Sequence, residues 1–448
     1  MPEGASRASW TLLAVFCSTV AGLVLEPLPV SAWSLCCITA LVATRACTFE
    51  TAMAGLTNDA IWLIVISFFF AKAFEKTGLG QRIANMMVAA VGHSTLGLAY
   101  SLAAAEVLLA PAMPSCTARA GGIFMPVIKF LSEAGNSFPG AGRRRLGAFL
   151  VHSQMQASCN IAALFMTGAA QNLLAMNIAR GMGVHIPDAW GTWALGALVP
   201  GLASVLMIPL ITFWLTPPEV RHTPQAPAEA RARLAAQGPL SGPELVTLVT
   251  LGGAVVLWGL GEQLALSSVV TAMMGLSTLL LAGVLSWRDC LEYTAAWDTL
   301  VWFSALVSMC SALAASGLVT RLADMVGVAL AQAKLPWMAS FGLLHALFFW
   351  GHYIFASQVG HVGALYGAFL AMMIAAGTPA TLAALTLGYS SNLFGSLTHY
   401  ASGPAAVFHG SGYTELREVL GLGALMGLRS CLVWGGLGMA WWKLLGWW

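Results

Sequence analysis

Thr77-Gly78-Leu79-Gly80-Gln81-Arg82-Ile83-Ala84-Asn85-Met86 returns 239 residues later as Ser316-Gly317-Leu318-Val319-Thr320-Arg321-Leu322-Ala323-Asp324-Met325. Gly, Leu, Arg, Ala and Met are identical at matched places, and at the same offset Asp59 falls on Asp298 and Ala73 on Ala312. Agreement this dense marks two copies of one unit. Working outward, each copy reads as three apolar crossings, an amphipathic stretch, an interrupted segment and two further crossings. The crossings fall near 10–26, 29–47, 59–77, 146–180, 190–215, 244–261, 266–286, 298–316, 378–410 and 419–442. The amphipathic stretches are 79–91 and 318–333. The interrupted segments run from 95 to 131 and from 337 to 376, the first broken at Pro111 and Pro114, the second near 351–361. Five crossings per copy is an odd number, so the second copy sits upside down. Inverted repeats with broken helices are a transporter architecture that places substrate near the bilayer midplane.

Composition agrees. Of 448 residues, 58% are apolar and 8% charged, about a third of the charge a soluble domain carries. Apolar runs long enough to span a bilayer recur throughout, so the class is an all-α polytopic membrane protein. The runs lack the two-residue alternation of a β-barrel. With 20 Lys+Arg against 18 Asp+Glu there is no basic excess for nucleic acid. The nine cysteines form no CxxC pair and no Cys/His metal spacing, so no metal or cofactor is expected. No signal peptide is read at the N-terminus.

The stretch 217–243, carrying Pro217, Pro218, Pro224, Pro227 and Pro239 with three arginines, is too polar for the bilayer and reads as a linker. With the N-terminus outside, twelve Lys/Arg fall on the cytoplasmic side and six on the other, which makes the linker cytoplasmic by the positive-inside bias. The expected parts are 1–94 (first scaffold helices), 95–216 (first transport part), 217–243 (linker), 244–336 (second scaffold helices) and 337–448 (second transport part). Arg119 and Arg429 remain at membrane depth.

Four polar breaks carry the candidate site: Pro114-Ser115-Cys116-Thr117-Ala118-Arg119; Ser158-Cys159-Asn160 with Thr167-Gly168-Ala169-Ala170-Gln171-Asn172; Ala356-Ser357-Gln358-Val359-Gly360-His361; and Ser390-Ser391-Asn392 with Thr398-His399-Tyr400-Ala401-Ser402-Gly403-Pro404. Open backbone at membrane depth is tolerated where it lines a cavity. A helix N-terminus there suits a carboxylate. Small residues at a single break also serve close helix packing; matched breaks in both copies favour a site. Arg119 either pairs with Glu106 or serves the substrate as a fixed positive charge. His399 is either a hydrogen-bonded core residue or a site residue. His345 and His352, seven apart, share a helix face, but no matching pair on another helix completes a metal or haem site. Glu26 and Glu262, just past crossings, read as structural.

On these breaks, and on Glu26-Pro27-Leu28-Pro29, Asn58-Asp59-Ala60-Ile61-Trp62-Leu63, Leu109-Ala110-Pro111-Ala112-Met113-Pro114, His361-Val362-Gly363-Ala364-Leu365-Tyr366 and Asn392-Leu393-Phe394-Gly395-Ser396-Leu397-Thr398-His399-Tyr400, the chain resembles the divalent anion/sodium symporter family. It looks closest to the branch of 2-oxoglutarate/malate translocators and citrate or tartrate/succinate antiporters. The resemblance implies re-entrant hairpins at 95–133 and 337–376, unwound helices at 146–180 and 378–410, a homodimer, and a transport part that slides against a scaffold. It also implies a carboxylate site drawn from Ser115, Cys116, Thr117, Arg119, Thr167, Asn172, Ser357, Gln358, Thr398, His399 and Gly403. Two tip positions depart from the family: Cys116 stands where it has Asn, and Val359 where this branch carries Thr. Both remove oxygen ligands that a sodium ion wants. One N-terminal crossing of the family is not found before Met1. The expected function is carboxylate exchange across a bacterial inner membrane. Sodium-coupled symport, or proton-coupled symport with Glu106 in the proton relay, is the alternative. A polytopic membrane enzyme is disfavoured because HExxH, a nucleophile elbow and paired haem histidines are all missing.

Overall fold

The computed structural model describes residues 6–25, 27–318 and 335–448, with 321, 325, 328 and 332. Among these the chain is helical throughout, its one strand-like contact being an isolated bridge between Ser94 and His222. The amphipathic stretch 318–333 lies for the most part outside the described residues.

A helix ends beside a positive-φ glycine at the start of the repeated stretch in both halves. Helix Asp59–Thr77 starts under Asn58, whose Oδ1 accepts from Ala60 N–H at 3.0 Å and Ile61 N–H at 3.4 Å. It stops at Gly78, which takes φ +74°, and Leu79–Val91 follows as a separate helix. Gly317 takes φ +71° at the matched position. Only glycine enters this left-handed region without strain, which is why both copies keep it.

Among the described residues, six helices are long and apolar enough to cross a membrane: Thr95–Ala112, Ala189–Leu215, Gly242–Gly259, Thr294–Ala315, Gln358–Ala375 and Leu416–Leu444. The bent pair Phe49–Thr57 and Asp59–Thr77 adds a seventh. Two of the six are arms of the interrupted segments. The remaining crossings read from the sequence appear as the shorter apolar helices Arg7–Leu23, Val30–Ala43 and Ser268–Leu281 and as two broken helices. A stripe of Leu195, Leu198, Leu202, Leu206 and Leu210 lies exposed along Ala189–Leu215, opposite buried Trp193, Ala197, Ser204 and Ile208. That spacing gives the helix one face for lipid and one for protein.

The two broken helices form the centre. Every residue of Gly147–Ala162 is buried, and so is every residue from Leu382 to Leu393. Yet they carry Gln154, Gln156, Ser158, Asn160, Thr386, Ser390, Ser391 and Asn392. A helix buried all round is normally apolar; these polar groups are tolerated because most find partners within the core.

The linker is more structured than its composition indicates. Pro227 at the start and Gly238 just past the end delimit a helix, Ala226–Gln237, the usual start and stop residues. It packs along Leu79–Val91. Arg82 Nε meets Glu244 Oε1 at 2.6 Å, and its NH1 donates to Gly238 O at 3.0 Å. Arg231 NH2 donates to Ala89 O at 3.1 Å, and the Arg233 guanidinium covers the Phe130 ring. The connection between the halves is therefore clamped to the first half. Removing one partner of a buried ion pair costs about 3–5 kcal/mol. Glu244→Ala is expected to lower the melting temperature of the detergent-purified protein markedly, whereas the double variant Arg82→Met/Glu244→Leu recovers most of it. Equal melting of Glu244→Ala and wild type would show that the clamp is not stabilising.

Candidate functional site

Both hairpin tips are built alike. Ser115 Oγ accepts from Ala118 N–H at 3.2 Å and starts a helical turn, Cys116–Arg119. A π-helical segment, Ala120–Phe124, follows, then helix Met125–Ala134. Ser357 Oγ accepts from Gly360 N–H, also at 3.2 Å, and starts Gln358–His361, π segment Val362–Tyr366 and helix Gly367–Ala375. The tips match at an offset of 242 residues, pairing Ser115 with Ser357, Cys116 with Gln358 and Arg119 with His361.

Arg119 and Glu106 are both fully buried, and Arg119 Nε donates to Glu106 Oε1 at 3.0 Å. Arg119 NH1 also donates to Gly168 O at 2.9 Å and to Met113 O. Glu106 Oε2 accepts from Gln154 Nε2 and Ser158 Oγ, each at 2.6 Å. Pairing with Glu106, one of the two readings of Arg119, is thus the one the structure adopts. The fixed charge attributed to Arg119 is neutralised locally. The pair ties the first hairpin to both sides of the first helix break.

That break is closed by its own side chains. Asn172 Nδ2 donates to Ala162 O at 2.9 Å and Phe165 O at 3.0 Å, satisfying carbonyls the helix end leaves free. Thr167 Oγ1 donates to Pro111 O at 2.6 Å and accepts from Trp190 Nε1 at 3.2 Å. The half-helix Ala170–Gly181 begins with no side-chain cap, and Gln171 and Asn172 in its first turn are buried.

The halves meet at Asn392. Its Nδ2 donates to Asn172 Oδ1 at 2.6 Å, and its Oδ1 accepts from Gln171 Nε2 at 2.9 Å. Gln358 Nε2 donates to Ser391 O at 2.9 Å and Asn392 O at 3.2 Å. Thr117 lies against Gly403, where a Cβ would collide with Thr117 Oγ1. Gly395 fits between Gln358 and Cys159. The structure thus brings together Cys116, Thr117, Arg119, Asn172, Gln358 and Gly403. Thr398 is buried in the second unwound loop, its Oγ1 without a partner among the described residues. Asn160 Oδ1 and His399 Nδ1 are likewise unpartnered. The His399 ring lies 5.0 Å from those of Tyr400 and His409, away from the contacts that join the tips. Gln171, Asn392 and Ser402 lie in the quoted breaks but outside the carboxylate site the resemblance implies, and Gln156 and Ser396 lie outside both; Ser396 Oγ donates to Gln156 Oε1 at 2.7 Å and Ser402 Oγ to Gly395 O at 2.6 Å. Polar residues persisting inside an apolar run were the available signal.

His345 and His352 do not act together. His345 Nε2 bonds Ser390 Oγ at 2.7 Å, and His352 Nδ1 lies 3.0 Å from His361 Nδ1. Arg429, in the last crossing, is 7% exposed, and its Nε, NH1 and NH2 all lack partners among the described residues.

Matched polar breaks, two buried broken helices and a junction between inverted halves define a membrane transporter. The profile of the sodium:sulfate symporter transmembrane region matches residues 1–448, and the chain belongs to that family. Dicarboxylate transporter 2, chloroplastic, of Spinacia oleracea is 52% identical over 99% of this chain and 79% of its own length. Dicarboxylate transporter 1, chloroplastic, of the same plant is 43% identical over 100% and 79%. Inner membrane protein YbhI of Escherichia coli (strain K12) is 31% identical over 100% and 94%. The solved Alcanivorax borkumensis YdaH transporter, described as having an unusual topology, superposes with a TM-score of 0.56 over 98% of this chain and 99% of its own, at 16% identity. The membrane-enzyme alternative falls away.

Leaving Arg119 buried without its carboxylate should cost about 3–5 kcal/mol. Glu106→Gln is expected to lower the melting temperature in detergent, and Glu106→Gln/Arg119→Met to restore much of the loss. An unchanged melting temperature in Glu106→Gln would mean the pair does not hold the hairpin.

Proposed function

We propose that this chain exchanges dicarboxylates of the malate, succinate, 2-oxoglutarate, citrate or tartrate class across a membrane. The observation that carries the reading is the meeting of matched breaks from both repeats: Asn392 with Asn172, Gln358 with Asn392, Thr117 with Gly403. The uncapped start of Ala170–Gly181 offers N–H groups and a positive dipole end to a carboxylate, and the Thr398 hydroxyl is free to donate to one. The names of the spinach relatives support the substrate class. The E. coli relative supports an inner-membrane setting. Parts 95–216 and 337–448 move together against 1–94 and 244–336, within a homodimer.

Arg429 supports exchange over symport. An unpaired buried cation is expensive at membrane depth, so the empty carrier resists crossing and an anion relieves it. Cys116 and Val359, where the family resemblance expects Asn and Thr, argue against a sodium site. In proteoliposomes, radiolabelled dicarboxylate should enter vesicles preloaded with dicarboxylate, equally in sodium and in choline. Thr117→Trp and Thr398→Trp should cut exchange at least about tenfold, the equivalent of ~1.4 kcal/mol of binding, in folded protein. Uptake into empty vesicles that requires an inward sodium gradient would replace this reading with symport.

A further inference from the structure

His352 and His361 form a chain of hydrogen bonds whose proton positions follow from chemistry. His352 Nε2 lies 2.8 Å from Ala401 O in the second unwound loop. A carbonyl only accepts, so His352 carries its proton on Nε2, and its Nδ1 in the neutral ring is an acceptor. His361 Nδ1, 3.0 Å away, must then be the donor. The neutral His361 ring is left with a bare lone pair on Nε2. That atom is buried and has no partner among the described residues. The rings of Phe348, Phe355 and Phe394 surround His361, with centroids 4.6, 4.6 and 4.7 Å away, and an aromatic face attracts a cation.

The repeat gives the position its meaning. His361 stands at the place Arg119 holds in the first hairpin, and Phe348 at the place of Glu106. One hairpin has a permanent cation with its carboxylate; the other has a titratable base with none. The titratable groups on the elements packed around the pair are His345, Tyr353 and Tyr366 of its own hairpin, His399 and Tyr400 of the loop, and Tyr389 of Ala380–Leu393. Helix Ala170–Gly181 adds Arg180, which faces Asp59 at 3.4 Å. Helix Arg7–Leu25 adds Arg7 and Cys17, and Thr294–Ala315 adds Asp298 and Cys310. Among the described residues, the one titratable group bonded to either ring is the other ring.

We infer that the His352–His361 pair is a proton site filled together with the dicarboxylate, one proton per dianion, on His361 Nε2. The inference rests on the dicarboxylate reading above. A charge count supports it. In the loaded carrier Glu106 and Arg119 cancel, Arg429 offers one positive charge and the substrate brings two negative ones. One further positive charge makes the complex neutral at membrane depth, where an uncompensated charge is costly. Burial favours the neutral ring while the carrier is empty, and the charge of a bound dianion favours the protonated one. The bond formed is Nε2–H, the proton coming from water on the side from which substrate binds; no redox change is involved.

The test is calorimetric titration of the detergent-purified protein with malate, succinate and 2-oxoglutarate, in buffers of different ionisation enthalpy, in sodium and in choline. The observed enthalpy should vary with buffer ionisation enthalpy at a slope of about one proton taken up. Affinity should weaken about tenfold per pH unit between pH 7 and 8, equally in sodium and choline, and His361→Gln should abolish both effects. A slope of zero in wild type, or a slope that persists in His352→Gln/His361→Gln, overturns the proton site. So does a zero slope with affinity that requires sodium, since sodium would then supply the missing charge. Absence of heat with all three acids in wild type would instead remove the dicarboxylate reading on which the site depends.

Discussion

A fully buried ion pair, Glu106 with Arg119, sets the terms for the first half of the molecule. A charge at this depth is tolerable only if its remaining hydrogen-bonding capacity is met. Glu106 therefore needs Gln154 and Ser158, four residues apart on one helix face, and both sit inside a helix that has no exposed side. Arg119 needs carbonyls that a continuous helix would not release. The break after Ala162 supplies one of them, Gly168 O. The hairpin tip, the polar face of the broken helix and the unwound backbone are thus requirements of one another.

The second half solves the same geometry with different chemistry. It keeps the capping serine, the short turn and the π segment, but puts rings where the first half puts charges. Gln358 takes over the role of reaching into the neighbouring break. Asn172 and Asn392 are bonded to each other, so each broken helix is closed partly by a residue of the other. Two copies of one unit have become dependent on their differences.

Much of this was legible in the residues. The density of apolar runs required a membrane, Gly78 and Gly317 marked the same turn twice, and the four polar breaks located the junction. Pairing of Arg119 with Glu106 was foreseeable as one of two options, because they are thirteen residues apart across a break and opposite in sign. What was hidden depends on the third dimension. His352 shared a helix face with His345 on paper, but the chain turns after Ile354 and brings His361 to it instead. Residues 226–237 looked like linker because their apolar face is mostly alanine; the helix is stabilised by docking on Leu79–Val91 and by Arg231. Arg429 carried a charge with no visible partner in sequence, and the folded chain provides none among the described residues.

Of the three π segments among the described residues, Ala120–Phe124 and Val362–Tyr366 each begin five residues after a capping serine, while Val433–Gly438 lies in the last crossing. Such segments account for well under 1% of residues in proteins. Each holds one more residue than an α-helix would in the same turn, and so rotates everything downstream by about 100°. Two independent insertions at one register in inverted copies is an improbable coincidence. A shared register in both copies is what duplication of a half already carrying the extra residue would leave. A single half that inserted in both orientations and paired with itself would have possessed both tips before either acquired its present chemistry.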